Sequence, residues 1–355
     1  MKGMLSFHPL DMAFFDATIA SLASGRKIDP EPFVAEATRV RKIHWKVRST
    51  SRAIETVLAV AGPPPPPDGA GLWGNVKAYL EKFDWRPDDL TKRVLQSIDP
   101  DLHLYGRPFL VAEASLAKVV ETVDRYREAK TPAAAEAIAK EQLGHLDPEL
   151  AQALEPEEGP DLSSDFLHRA DLLAALARIH EIASAARAGK TFSDGKAEAR
   201  PANEVLRDEL PWRAVSLHAR LVPFWTARDV DGLETVCRAA RVLAPDMLVP
   251  AWRPFAMACE EFPDLKASLH QEVRGDRDVG AFVSPEDVPR LLEFLSAEGA
   301  RIIEAAAREG EGQACTTLLR KIRECAAYAE KHGLGYLEAS GILSPDLAEP
   351  WAAGV

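Results

Sequence analysis

The sequence predicts an all-α protein: one or more irregular multi-helix bundles of roughly 12 to 16 helices, with little or no β structure. Three observations lead to this prediction. Ala and Leu make up much of the apolar content, helix-start signals recur along the chain, and apolar residues follow those signals at helical spacing. Alternating apolar and polar residues are almost absent, and 279–283 is the single short candidate for a strand.

The recurring start signal is an Asp or Ser followed by Pro and then by an acid. The first side chain accepts bonds from free N–H groups, the proline has no N–H to lose, and the acid complements the helix dipole. The signal occurs at 29–31, 99–101, 147–149, 284–286 and 344–346. Because the intervals are irregular, we do not expect a repeat protein of fixed period.

The apolar stripes predict the helices in order along the chain. They cover 11–24, 32–61, 116–126, 165–188, 288–302 and 318–332. The first and last of these end before Gly25 and His332-Gly333, and glycine is typical just after a helix. The proline-rich stretch 245–263 should form short helical turns over a core.

Composition shifts divide the chain into five parts. We expect an N-terminal helical segment (1–61), a proline-rich spacer (62–74), a central helical region (75–190), a polar loop (191–212) and a C-terminal helical region (213–355). The five consecutive prolines at 63–67 cannot be helical and predict an extended spacer.

A formal charge of −12 disfavours a chain that coats nucleic acid non-specifically. The sequence has no signal peptide and no apolar run long enough for a membrane helix, so we expect a cytoplasmic protein. The four cysteines, scattered and without a CxxC pair, should be buried apolar residues: Cys237, Cys259, Cys315 and Cys325. No cofactor fingerprint is present.

The most unusual local composition is 39–52, with six Lys or Arg residues and no acid. On a helix, one flank of this segment carries Arg41, Trp45, Arg48 and Arg52. Guanidinium and indole groups together suit an acidic protein partner, and they also suit phosphate or nucleic acid. The alternative is a solvated helix paired with the chain's own acids.

Two further patterns could carry chemistry. Asp165, His168 and Asp171 are spaced to share one side of a helix, as in helical metal sites; a helix cap followed by a buried histidine explains them more simply. Arg39-x4-His44 and Arg213-x4-His218 match the Arg-x4–6-His motif of HEPN ribonucleases, although composition alone accounts for such matches.

The function predicted from these features is non-enzymatic protein–protein interaction, by an adaptor, regulatory or neutralising protein. One alternative is a helical enzyme, either a metal-dependent hydrolase or a HEPN-like ribonuclease. Another is an oligomeric structural scaffold. The expected partner is another protein, not a membrane.

Overall fold

A computed structural model describes ten stretches of the chain: residues 4–41, 102–104, 107–108, 111–113, 115–146, 148, 165–193, 199–228, 231–269 and 278–341. The chain divides into two compact units. Unit 1 contains Met1–Val40, His103–Arg107 and Leu162–Val355. Unit 2 contains Arg41–Leu102 and Pro108–Asp161.

Nine strands occur in the described residues. They are β1 (Met4–Leu10), β2 (Leu102–Leu104), β3 (Arg107–Pro108), β4 (Thr191–Phe192), β5 (Arg200–Pro201), β6 (Pro223–Arg228), β7 (Val249–Pro250), β8 (Val279–Val283) and β9 (Gly335–Ser340). One sheet has the strand order β3-β2-β6-β1-β9-β8-β7, and β4 pairs with β5 in a small hairpin. The five strands from β6 to β7 all pair antiparallel.

In the same described residues, twelve α-helical segments accompany the strands. They are α1 (Met12–Phe14), α2 (Ser21–Ala23), α3 (31–41), α4 (Leu116–Glu128), α5 (Pro132–Leu146), α6 (Asp165–Arg187), α7 (Ala202–His218), α8 (Leu233–Ala239), α9 (Ala256–Glu261), α10 (Pro263–Lys266), α11 (Val288–Arg308) and α12 (Gly312–His332). A π-helical segment, Phe15–Ala20, joins α1 to α2, and 3₁₀ turns lie at Arg253–Phe255 and Pro285–Asp287. Among the described residues, no helix is both long and apolar enough to span a bilayer.

The prediction of an all-α helical bundle is therefore wrong, because the molecule is a mixed α/β protein. The strand candidate at 279–283 is confirmed as β8, whereas β1, β6 and β9 were not predicted. The physical reason is that the sheet is covered on both faces. All residues of β9 are buried, so its sequence lacks the alternation that reveals a strand with one face in water.

The register of β1 assigns the side chains to the two faces of the sheet. Residues directly opposite each other in an antiparallel pair share a face. Phe7 lies opposite Glu338 of β9 and Trp225 of β6, and we call their side the glutamate face. Ser6 and His8 point the other way, and we call that side the histidine face.

Helices cover both faces within unit 1. On the glutamate face, α12 packs over the strands: the Trp225 indole donates to the Glu324 carboxylate at 3.1 Å, and Lys321 Nζ donates to the Thr226 carbonyl at 2.7 Å. The histidine face packs against the helical residues of 12–37, α6, α7, α9 and α10 in one large apolar core, to which Leu10 and Leu337 contribute.

Several predicted helix boundaries are confirmed. Asp29 accepts a bond from the Glu31 backbone N–H at 3.1 Å, as a helix cap should. Gly25 and Gly333 both adopt positive φ after their helices. At Ser284 the expected cap differs, because its hydroxyl donates to the Asp287 carboxylate at 3.2 Å instead of accepting a backbone N–H.

Other predicted elements differ in extent or lie outside the described residues. Helix 32–61 is described only to residue 41, and the start signals at 99–101 and 344–346 and the spacer 62–74 are outside the described ranges. The short helical turns expected in 245–263 are confirmed by α9 and the neighbouring 3₁₀ turn. In the polar stretch 191–212, the structure places the β4–β5 hairpin and the first half of α7.

Helix α7 is held to α6 by an ion cluster that its polar sequence provides. Glu209 accepts from Arg178 Nη2 at 2.7 Å and from Arg213 Nε at 2.6 Å. Burial acts to raise the pKa of Glu209, but the bonds from the two arginines outweigh it, so the pKa is lowered. Glu209, one of the polar residues that indicated a loop, is therefore a contact between two packed helices.

Candidate functional site

A cavity of about 80 Å³ lies on unit 1 between α8, α11 and α12. Its walls are mostly small apolar side chains, with three acids: Asp231, Thr235, Val236, Ala239, Ala240, Ile302, Ala305, Ala306, Glu309, Glu311, Ala314, Cys315 and Leu318. A single water needs roughly 10–15 Å³ of such space. The cavity therefore holds several waters or the end of one side chain.

The turn between α11 and α12 places two of the acids. Gly310 has a φ of +82°, which a residue with a side chain rarely adopts. The backbone N–H groups of Glu309 and Glu311 both donate to the Ala306 carbonyl, at 3.1 and 2.9 Å. This tight turn sets the two carboxylates on either side of Gly310.

Helix stability explains the position of the Glu311 carboxylate but not that of the Glu309 carboxylate. Glu311 stands at the positive, N-terminal end of α12, where an acid stabilises the helix. Glu309 stands at the negative, C-terminal end of α11, where a carboxylate costs about 0.3–1 kcal/mol. Both are exposed, and neither has an ion-pair partner among the described residues.

Three arginines on α8 and α11 pair with other acids. Arg308 pairs with Glu304 at 2.6 Å, Arg301 with Glu298 at 3.5 Å, and Arg238 approaches Glu234 at 3.9 Å. The residues that line the cavity include no Lys, Arg or His. The mouth therefore presents negative charge to solvent.

Cys315 contributes the thiol that lines the cavity. The residue is 5% exposed, and burial, followed by the nearby Glu311 carboxylate, raises the pKa of the thiol. A protonated thiol is a weak nucleophile but remains a weak hydrogen-bond donor and acceptor. The four cysteines are all buried and unbridged, which confirms the sequence prediction for them.

Glu338 of β9 positions α8, which forms one wall of the cavity. Its carboxylate accepts from the Leu233 backbone N–H at 3.4 Å and from the Tyr336 hydroxyl at 2.9 Å. A side-chain Cβ at Gly232 would lie 2.8 Å from Glu338 Oε2, so the start of α8 sits directly on the carboxylate. Glu338 does not line the cavity, and its role is to position α8.

Burial raises the pKa of Glu338 to about 7, although the bonds from Tyr336 and Leu233 act in the opposite direction. Burial, and then the Glu338 charge, raises the pKa of Tyr336 well above its ordinary value. Glu338 is thus a buried carboxyl that gains or loses its proton near neutral pH. No sequence pattern marked it, and the only signal is an acid inside a short apolar segment.

A second polar cluster lies on the histidine face. His8 Nε2 is 2.8 Å from Ser6 Oγ, and the His8 ring stacks on Phe224 with centroids 5.2 Å apart. His218 Nε2 accepts from the Asp11 backbone N–H at 3.0 Å. Burial, and then the neighbouring His218, lowers the pKa of His8 to about 3.

This serine–histidine contact does not form a catalytic pair. Ser6 is 1% exposed and His8 is fully buried, so a substrate cannot reach the hydroxyl. An imidazole with a pKa of about 3 is also a poor base at neutral pH. The cluster ties β1 to the helices above it.

The predicted basic surface falls largely outside the described residues. Arg41 is half-buried at the end of α3, while Trp45, Arg48 and Arg52 are not described. Arg39, on the other flank, pairs with Glu36 at 2.7 Å. The basic surface stays a prediction.

The predicted metal ligands do not converge as far as the structure describes them. On α6, His168 is buried and Asp171 is exposed, and the Asp165 side chain is outside the described set. Within the described ranges, no group of three or more His, Cys, Asp or Glu residues could hold a metal ion.

The structure describes both residues of only one of the two Arg-x4-His matches. His44 is not described. Arg213 belongs to the ion cluster with Glu209, and its guanidinium lies 4.4 Å from the Trp212 ring centroid. His218 is fully buried against Phe14 and Phe15, so this histidine cannot contact a phosphate from solvent.

Comparison of the chain with protein-family models, with curated proteins and with solved structures gives no significant match.

Proposed function

We propose that the chain is a non-enzymatic protein–protein interaction protein that acts as an adaptor, a regulator or a neutralising partner. The cavity mouth supports this proposal most strongly. Glu309 occupies a position that is unfavourable for the helix and has no internal counter-charge among the described residues. A charge that costs folding energy and faces solvent is explained by a partner that neutralises it.

An exposed apolar residue in the segment after α8 gives further support. Leu243 is 91% exposed and follows α8 closely in the chain, after Ala239 and Ala240 of the cavity wall. Single exposed apolar side chains are common. Leu243 adds exposed apolar area to the segment that follows the cavity wall in the chain.

The sequence supplies a second surface of opposite charge. Arg41, Trp45, Arg48 and Arg52 suit an acidic partner through guanidinium–carboxylate and cation–π contacts. An acidic and a basic surface on one chain are typical of an adaptor that contacts more than one protein.

Carbodiimide cross-linking of the purified chain in an extract of its source cells tests the proposal. This reagent joins carboxylates directly to lysines, and mass spectrometry identifies the joined residues. We expect a partner joined at the cavity mouth, and its loss in Glu309→Lys/Glu311→Lys. A second double variant, Arg41→Glu/Arg48→Glu, tests the basic surface through the loss of partner carboxylates joined to the neighbouring Lys42 and Lys46.

Glu293→Lys/Glu330→Lys is the matched control. These exposed acids lie on the same two helices, and the control changes the net charge by +4, as Glu309→Lys/Glu311→Lys does. Glu330 is about 28 Å along α12 from Glu311, at 1.5 Å per residue. If neither surface variant changes the set of joined proteins relative to this control, the proposed function is wrong.

A further inference from the structure

We infer that the cavity between α8, α11 and α12 is a socket for one lysine or arginine side chain of the partner protein. The inference rests on the proposed function and names the chemistry of the contact. It depends on the size of the cavity, on the nature of its floor and on the charge of its mouth.

The size of the cavity limits the occupant. A volume of about 80 Å³ accommodates the end of an unbranched side chain, and it is too small for a nucleotide or an aromatic cofactor. An inserted side chain needs no movement of α11 and α12, whose turn is closed by the hydrogen bonds to Ala306.

The floor suits the aliphatic part of such a side chain. Val236, Ile302, Ala306 and Leu318 present carbon atoms to the cavity. Lysine and arginine carry three or four methylene groups that pack on apolar surface while the charged end stays near water or an acid. An acidic side chain would be repelled at the mouth.

The mouth suits the charged end. Glu309 and Glu311 line the cavity, and the lining side chains include no basic residue. A guanidinium donates two parallel bonds to a carboxylate, and an ammonium donates three separate ones. A cation at this position also compensates the negative end of α11, which Glu309 makes more negative.

The Cys315 thiol is the second polar feature of the cavity. It is 5% exposed and has no hydrogen-bond partner among the described residues. A buried sulfur without a partner can accept an N–H from an inserted cation, weakly. Cys315 also gives a chemical reporter inside the socket.

The test uses n-butylguanidinium and n-butylammonium as probes, with n-butylurea as the neutral isostere and valerate as the anion. Methyl NMR spectra of alanine- and valine-labelled protein report binding at Val236, Ala306 and Ala314. We expect the two cations to bind with a Kd of about 1–10 mM at low salt. Butylurea and valerate should bind at least fivefold more weakly.

Variants and the cysteine reporter make the result specific. Glu309→Lys/Glu311→Lys should weaken cation binding at least tenfold, and Glu293→Lys/Glu330→Lys should leave it unchanged. Butylguanidinium should also slow alkylation of Cys315 at pH 9 while Cys259, in the core on the histidine face, reacts as before. Thermal unfolding checks that both variants fold.

Equal binding of butylurea and butylguanidinium would overturn the inference, as would cation binding that survives charge reversal at the mouth. The two proposals fail separately. If no cation binds but Glu309→Lys/Glu311→Lys still loses its cross-linked partner, the socket is wrong and the proposed function stands. If cations bind but no surface variant changes the cross-linked proteins, the proposed function is wrong and the cation site stands.

Discussion

The two faces of the sheet both bury ionisable groups, but they do so in opposite ways. On the glutamate face, Glu338 has a pKa of about 7 and carries a proton at mildly acid pH. On the histidine face, His8 has a pKa of about 3 and stays neutral down to that pH. In both cases burial is the largest cause, because it disfavours the charged form of an acid and of a base alike.

The consequence is that the two faces respond to pH with opposite sign. For Glu338, the folded state binds more protons than the unfolded state between pH 4.5 and about 7, so its contribution to stability falls as pH rises through that range. For His8, the folded state binds fewer protons between about pH 3 and 6.5. Its contribution therefore falls as pH is lowered through that range.

Since one pKa unit corresponds to about 1.4 kcal/mol, each group changes the free energy of unfolding by about 3 kcal/mol between pH 4.5 and 7. The two changes oppose each other in the native protein. Removing one group at a time should reveal the pH dependence of the other, and the following predictions separate the two faces.

The largest effect at neutral pH should come from an aromatic residue of the histidine face that does not ionise. Phe15 is fully buried, and its ring meets Phe255 edge-on with centroids 5.4 Å apart. Phe15→Ala should lower the free energy of unfolding by about 3–5 kcal/mol. Urea unfolding should give the same loss at pH 5 and at pH 8. A loss that changes with pH would show that His218, which touches Phe15, is coupled to the packing.

This aromatic core was accessible from the sequence, and so was helix α12 on the opposite face, but Glu338 and the cavity were not. The apolar stripe of 11–24 predicted a buried Phe15 through helical spacing alone, which is a local pattern. Glu338 and Cys315 are 23 residues apart in sequence. They lie near α8 only because the tertiary fold packs β9 and α12 against that helix. Sequence periodicity contains no information on such contacts, so the cavity could not be predicted.

The missed strands have the same explanation. β1 contains Pro9 and the buried polar residues Ser6 and His8, which disfavour a central strand by composition. The pairing of β1 with β6 ends at Phe7, so Pro9 needs no backbone donor on that side. β1 is thus a central strand at one end and an edge strand at the other, and its β conformation depends on the strands that pair with it.

The next largest effect should come from Glu338→Gln. The amide keeps an oxygen for Tyr336 and Leu233 but carries no charge, so the variant should be more stable than the native protein by about 1–3 kcal/mol at pH 8. The gain should vanish at pH 4.5, where Glu338 is already protonated. The difference in urea unfolding between variant and native protein isolates this group from the other carboxylates.

Equal stability of the two proteins across pH 4.5–8 would contradict the assignment of Glu338 as the group that titrates near neutral pH. Glu234 is the other carboxylate that interacts with Glu338, and its charge acts to raise the pKa of Glu338. Glu234→Gln removes only the smallest cause of that shift, so in this control the pH dependence should persist and move to slightly lower pH.

The smallest effect at neutral pH should come from His8→Phe. Phenylalanine keeps the stacking on Phe224, while Ser6 can still donate to the Ala339 carbonyl. His8 Nδ1 is buried without a hydrogen-bond partner in the described part of the chain. Because the substitution removes that polar atom and leaves a similar shape, it should change the free energy of unfolding by less than about 1 kcal/mol at pH 7.5.

The same variant should have a large effect in acid. Without the imidazole, the protein should be more stable than the native protein at pH 4.5 by about 3 kcal/mol, measured as a higher urea midpoint. Its stability should then fall from pH 4.5 to 7, because the Glu338 contribution is no longer opposed by that of His8. If His8→Phe instead shows the native profile, the acid sensitivity belongs to another histidine, and the two faces do not balance each other as the geometry of Ser6, His8 and His218 indicates.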